Sequence, residues 1–102
     1  IRTDKDNFYT GINVENSSYG LTLCAETSAI AAMVTAGEQR IKSLVVLAGS
    51  NELCSPCGAC RQRIHEFSTA DTQIHMCTKD SIIRSTTINE LLPLAFDFDF
   101  KP

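Results

Sequence analysis

Ser43-Leu44-Val45-Val46-Leu47-Ala48 is a short, uninterrupted apolar run, and such a run marks a central strand covered on both faces. Reading outward toward the N-terminus, Cys24 to Ala36 is built from small and apolar residues (Ala25, Ser28, Ala29, Ala31, Ala32, Met33). That composition predicts a helix apolar around much of its circumference, hence buried, and closed by Gly37. On the other side, after a turn, Cys57 to Phe67 predicts a second helix. Farther upstream, Asn7 to Val14 is aromatic and β-branched and reads as a strand running into the polar loop Glu15-Asn16-Ser17-Ser18-Tyr19-Gly20. Downstream, Gln73 to Thr78 and Ile82 to Thr86 read as strands, and Ile88 to Leu92 as a short helix stopped by Pro93. The order β-α-β-α-β-β-α predicts an α/β fold with a largely parallel sheet. Both long helices then begin at the carboxyl ends of strands, where open α/β sheets gather their ligands.

Those two helix starts carry the chemistry. One is Cys24-Ala25-Glu26 and the other is Pro56-Cys57-Gly58-Ala59-Cys60. Two thiolates spaced Cys-x-x-Cys at a helix start can converge on one ion, helped by the unpaired N–H groups of the first turn. Cys24 supplies a third sulfur, and three protein ligands leave a zinc ion with an open position for water, the catalytic arrangement. Glu26, two residues beyond Cys24, reaches such a water without having to bind the metal, which is where a proton shuttle belongs. Cys-x-Glu followed by Pro-Cys-x-x-Cys is the zinc-deaminase signature in its three-cysteine form. A redox pair would explain neither Pro56 nor Cys24-x-Glu26, and a structural zinc site would need a fourth ligand. Cys54 is the nearest candidate, but Ser55-Pro56 turns the chain between it and the helix. Cys77, in the apolar run Ile74-His75-Met76-Cys77, reads as a packed strand residue.

Composition narrows the partners. A chain of 102 residues is one domain with a modest core. Its net charge is -3 and it has no Lys/Arg cluster, which disfavours a nucleic-acid substrate. It shows neither a signal-peptide pattern nor an apolar run of membrane-spanning length. Five cysteines with zinc-type spacing fit a reducing compartment, so the expected location is cytoplasmic. Ile1-Arg2-Thr3 opens without an initiator methionine, as if inside a strand, and the chain reads as N-terminally incomplete.

Three motifs in order, Gly11-Ile12-Asn13-Val14-Glu15-Asn16-Ser17-Ser18-Tyr19, Cys24-Ala25-Glu26 and Ser55-Pro56-Cys57-Gly58-Ala59-Cys60-Arg61-Gln62, resemble the small, homotetrameric cytidine deaminases, and the likeness runs on through Leu91-Leu92-Pro93. The resemblance implies a three-layer α/β/α fold with a mixed sheet, preceded in the family by a further helix and most of the first strand. It implies one Zn2+ per chain on Cys24, Cys57 and Cys60, with Glu26 as proton shuttle. Asn13 and Glu15 would grip a ribose hydroxyl, and backbone groups near Ala25 and Ser55 would address the base. Tyr19 and Phe96 would reach into the sites of neighbouring subunits, with Phe98 and Phe100 as alternatives to Phe96. The implied activity is hydrolytic deamination of cytidine and 2'-deoxycytidine in pyrimidine salvage.

Arg61 has a physical rationale of its own. Three thiolates on Zn2+ leave a net charge of -1, and a guanidinium bonded to a ligand sulfur would offset it. Thr27 departs from the family's commonest pattern, in which an arginine follows the glutamate. The rival readings are a deaminase of another aminopyrimidine nucleoside, such as the blasticidin S type, and a noncatalytic zinc-stabilised module. Asn13-Val14-Glu15-Asn16 favours an ordinary ribose over the first, and Glu26 argues against the second. His65 and His75 are assigned no role.

Overall fold

The computed structural model describes residues 1–48 and 55–97. Its elements are β1 (Arg2–Thr3), α1 (Ala25–Thr35), β2 (Ile41–Leu47), α2 (Gly58–Phe67), β3 (Ser68–Cys77), β4 (Ile82–Thr86) and α3 (Ile88–Leu91), with a single 3-10 turn at Tyr19–Leu21. The strands form one sheet in the order β1-β2-β3-β4. The α/β class and the mixed sheet are as expected, although only β2 and β3 pair in parallel, while β1–β2 and β3–β4 are antiparallel.

The largest departure is at the N-terminus. Asn7 to Val14 is not a strand: it makes only isolated bridges, Arg2 with Phe8 and Val14 with Leu23. The first strand is Arg2–Thr3 instead, whose Thr3 faces Ile41. The reason is that the segment lies across the start of α1 rather than along a strand. A β-carbon on Gly11 would sit 2.2 Å from the Ala25 carbonyl oxygen and 2.4 Å from the Ala29 nitrogen. No residue with a side chain fits so close an approach, and that explains the glycine there.

β2 supplies the centre of the core. Ile41, Leu44 and Val46 are buried with Ile74 of β3, Ile30 and Met33 of α1, Ile64 of α2 and Ile88 of α3. All three helices thus share one core with one face of the sheet. The expectation that β2 is covered on both faces fails among the described residues, since Val45 and Leu47 on the alternate face are 58% and 65% exposed. For the same reason two of the three expected layers are seen. Helix α1 buries one stripe, Ala29, Ile30 and Met33, while Ala31, Ala32 and Val34 face out; its apolar circumference does not make it buried all round.

Helix α1 ends as the sequence predicts. Gly37 adopts φ of +90°, donates to the Val34 carbonyl at 2.9 Å, and lets Glu38 donate to the Met33 carbonyl at 3.1 Å. This paired closure is the Schellman arrangement, for which glycine avoids the left-handed steric cost. The turn delivers Glu38 into the interior. Its carboxylate accepts from Thr3 Oγ1 (2.6 Å), Asn7 Nδ2 (3.2 Å) and Tyr9 Oη (2.5 Å). One acidic side chain therefore ties the N-terminal segment to the α1–β2 connection.

Candidate metal centre

Cys24 is the N-cap of α1 and Cys57 the N-cap of α2. Cys60 lies on the first turn of α2 and is fully buried, 0% exposed. Their three Sγ atoms lie within 4.8 Å of one another, with Cys24 and Cys57 4.0 Å apart. A tetrahedral zinc with Zn–S near 2.3 Å sets sulfurs about 3.8 Å apart, so the cluster has the right size and the right soft donors. Backbone N–H groups of Cys60 and Ala59, together with the neighbouring thiols, pull the Cys57 thiol below its usual range. That is the helix-start effect expected for an Cys-x-x-Cys pair. Burial pushes the Cys60 thiol up to about 12, so it needs a cation to ionise.

The local chain explains how Cys24 reaches α2. Val14 and Leu23 exchange both backbone hydrogen bonds, at 2.8 and 3.0 Å, and close the loop between them. Asn13 is thereby brought to the start of α1, where its Oδ1 accepts the Ala25 N–H at 2.7 Å. Ser28 Oγ donates to the Ile12 carbonyl at 3.1 Å. Residues 11–13 form a strap over the first turn of α1, and Cys24 and Glu26 are held on either side of the residue it grips. A cavity of about 540 Å³ opens beside it, lined by Asn13, Ala25, Glu26 and Ala29 with Gly11 and the end of β2. Its volume is in the range of small-molecule sites.

The family model of the cytidine and deoxycytidylate deaminase zinc-binding region matches residues 1–76. The chain belongs to this family. It is 45% identical over 89 residues to the cytidine deaminase of Mycoplasma genitalium, covering 86% of this chain and 68% of that one. It is 38% identical over 99 residues to the cytidine deaminase of Mycobacterium tuberculosis, covering 97% and 71%. Among solved structures, the cytidine deaminase of Burkholderia pseudomallei superposes with a TM-score of 0.83 at 33% identity, covering 92% of this chain and 76% of that one. The chain thus spans about two thirds of the length of the curated relatives it matches. The family is zinc-binding, and Cys24, Cys57 and Cys60 form a cluster able to hold such an ion.

Of the residues singled out in the sequence, the deaminase structure brings together Cys24, Cys57, Cys60, Glu26, Ala25 and Asn13. Ala25 differs from expectation in one respect: its N–H is taken by Asn13 and is not a free donor toward the cavity. Asn13 keeps its amide N–H2 for another partner. Ser55 is reached by Arg61 rather than by the cavity, accepting from Arg61 Nη2 at 2.6 Å. Glu15 and Tyr19 stand exposed in the loop after the strap, Tyr19 at 89%. Phe96 is 65% exposed and its carbonyl accepts from Gln62 Nε2 at 2.9 Å. None of these four lines the cavity among the described residues. Cys54, Phe98 and Phe100 lie outside the described residues. Cys77 is half-buried at the end of β3, as expected.

Arg61 corrects the expectation of a guanidinium on a ligand sulfur. Its Nε donates to the Pro56 carbonyl (2.8 Å), Nη1 to the Leu91 carbonyl (2.7 Å) and Nη2 to Ser55 Oγ. Oxygen is a better acceptor than sulfur, and two carbonyls and a hydroxyl converge on a side chain that starts only one residue past Cys60. Arg61 therefore braces the turn that presents Cys57 and pins it to the end of α3. A contact absent from the sequence reading takes the place beside the sulfur: Thr27 Oγ1 lies 3.4 Å from Cys60 Sγ. The departure from arginine at position 27 was its only trace in the sequence.

Proposed function

We propose that this chain deaminates free cytidine and 2'-deoxycytidine to uridine and 2'-deoxyuridine with release of ammonia, as a step of pyrimidine salvage. The observation that carries this reading is Glu26: it follows Cys24 on the first turn of α1 and lines a nucleoside-sized cavity together with Asn13. Cys24, Cys57 and Cys60 would hold zinc, which when bound would supply Lewis acidity toward a water.

The remaining work belongs to the side chains. Glu26 takes a proton from the attacking water and hands it to N3 of the pyrimidine, which makes C4 electrophilic. After attack at C4, Glu26 passes the second proton to the exocyclic amino group, and the C–N bond breaks with loss of ammonia. Asn13 offers its amide N–H2 to a ribose hydroxyl while its oxygen holds α1, and Glu15, in the exposed loop beyond the cavity wall, accepts from the same hydroxyl once substrate is bound. The apolar end of β2 forms one wall of the cavity.

Exposed Tyr19 and Phe96 fit sites shared between subunits of a homotetramer, each aromatic closing over a neighbour's nucleoside. The described residues contain no helix long and apolar enough to cross a membrane. Thiolate ligands suit a reducing, cytoplasmic setting. The test is the ultraviolet absorbance change of cytidine with zinc-loaded protein, run beside Glu26→Gln with bound zinc quantified. Turnover by the parent chain and its loss in the zinc-replete variant are expected; equal turnover in the two would remove Glu26 from the reaction.

A further inference from the structure

The zinc cluster has a charge problem that Arg61 does not solve. Three thiolates on Zn2+ carry a net charge of -1, which weakens the cation's pull on electrons. Cys57 is relieved by the backbone N–H groups of Cys60 and Ala59. Cys60 is buried to 0% exposure, cut off from water that could do the same. The guanidinium nearest in sequence is engaged by Pro56, Leu91 and Ser55. Among the side chains beside Cys60, which include Glu26, Cys24 and Cys57, the Thr27 hydroxyl lies 3.4 Å from Sγ and can donate to a thiolate.

Thr27 stands on the first turn of α1, one residue past Glu26, whereas Cys60 stands on the first turn of α2. The contact therefore crosses between the two helices that carry the cluster. While Cys60 is a thiol, either atom can be the donor. Once Cys60 is a metal-bound thiolate it has no proton, and the hydroxyl must donate. A hydrogen bond to a charged acceptor is stronger than a neutral one.

We propose that Thr27 is a positioning residue of the zinc centre, donating its hydroxyl proton to the Cys60 thiolate and so drawing negative charge off the metal. The inference rests on the deaminase reading of the site and assigns to a threonine the compensation that a cation would otherwise provide. Thr27→Val is nearly isosteric and removes only the donor; Thr27→Ser keeps the donor and removes the methyl group.

The test is made on the full chain loaded with Co2+ in place of zinc, reading the thiolate-to-cobalt charge-transfer band. In Thr27→Val the band moves to longer wavelength, because an unbonded thiolate gives up electron density more readily, and in Thr27→Ser it returns to the parent position. With zinc, kcat in Thr27→Val falls about tenfold at unchanged KM, the scale of losing an outer partner of a metal ligand. An unmoved band in metal-replete Thr27→Val would overturn the proposal while leaving the zinc reading intact. A parent chain that takes up cobalt without any charge-transfer band would overturn both. Should Thr27→Val fail to fold, Thr27→Ser decides: a parent-like band supports the hydroxyl, and a shifted band refutes it by making the methyl group the essential part.

Discussion

Asn13 performs two jobs that different substitutions can separate. Its oxygen satisfies the Ala25 N–H at the start of α1, a donor that has no partner inside the helix, while the residue also lines the cavity. Asn13→Asp keeps the acceptor and removes the donor, so Tm should hold while KM for cytidine rises roughly tenfold, the scale of one lost hydrogen bond to substrate. Asn13→Ala removes both, adding about 1 kcal/mol of destabilisation as for a lost helix cap. Thermal unfolding and steady-state kinetics on the pair check this, and equal Tm losses in both variants would contradict the division of labour. Glu26→Gln is the cleaner case: zinc stays stoichiometric by metal analysis, and turnover falls on the order of 1,000-fold with the proton shuttle gone. Glu26 was marked in the sequence by its spacing from Cys24, and Asn13 only by the resemblance to the deaminase family. The capping role of Asn13 was not, since the Ala25 N–H is twelve residues away and nothing local announces the contact.

At the scale of elements, the strap over α1 is the feature the sequence hid. Residues 7–14 have strand-like composition, but composition records only what a side chain tolerates, and here the backbone is held by Ser28, Ala25 and the Val14–Leu23 pair. Gly11 was the one local signal, a glycine inside a strand-like run, which marks close backbone approach. Gly11→Ala should lift the strap from the Ala25 carbonyl and displace Asn13; a shift of about 1 Å at a substrate-positioning group costs on the order of 100-fold in rate. Unchanged kcat/KM would show that the strap does not position the site. The Glu38 junction gives a second prediction at this scale. The Thr3 hydroxyl first, then the Tyr9 hydroxyl and the Asn7 amide, hold its carboxyl below the ordinary range. A depressed carboxylate adds stability above its unfolded pKa, about 4.3, and that stability is lost as pH falls through the lower folded value. Glu38→Gln should therefore lower Tm near neutrality and flatten the loss of Tm between pH 5 and the acid end, about the window set by that depressed pKa. Parallel Tm–pH curves for parent and variant would count against the junction. The helices, β2, β4 and the second half of β3 were readable from composition and from Gly37 and Pro93, whereas the first half of β3, from Ser68, was not; Glu38 resembled any loop acid, its role depending on Thr3, Asn7 and Tyr9 some thirty residues upstream.

For the molecule as a whole, the metal cluster and the core answer different questions. The core joins Leu44, Val46 and Ile74 of the sheet to Ile30 of α1, Ile64 of α2 and Ile88 of α3, and it does so without a metal. The cluster joins only the starts of α1 and α2, across the 33 residues that separate Cys24 from Cys57. Without a cation, Cys60 stays a buried thiol, its pKa about 12, so the interior carries no buried thiolate at that position. The metal-free chain should therefore keep its sheet and lose the fastening between two helix starts. Binding a ligand to the folded state alone stabilises by RT ln(1 + [L]/Kd), about 4 kcal/mol at a thousandfold excess over Kd. For a domain of this size that amounts to a Tm rise of roughly 15 °C or more. Chelation should lower Tm by that order, restoring zinc should recover it, and far-ultraviolet circular dichroism at low temperature should change little. Cys57→Ala should show the lowered Tm from the outset and no response to chelator. A parent chain whose Tm ignores chelation would mean that zinc acts in the chemistry without holding the two helices, whereas loss of all secondary structure on chelation would mean that the core cannot stand without it.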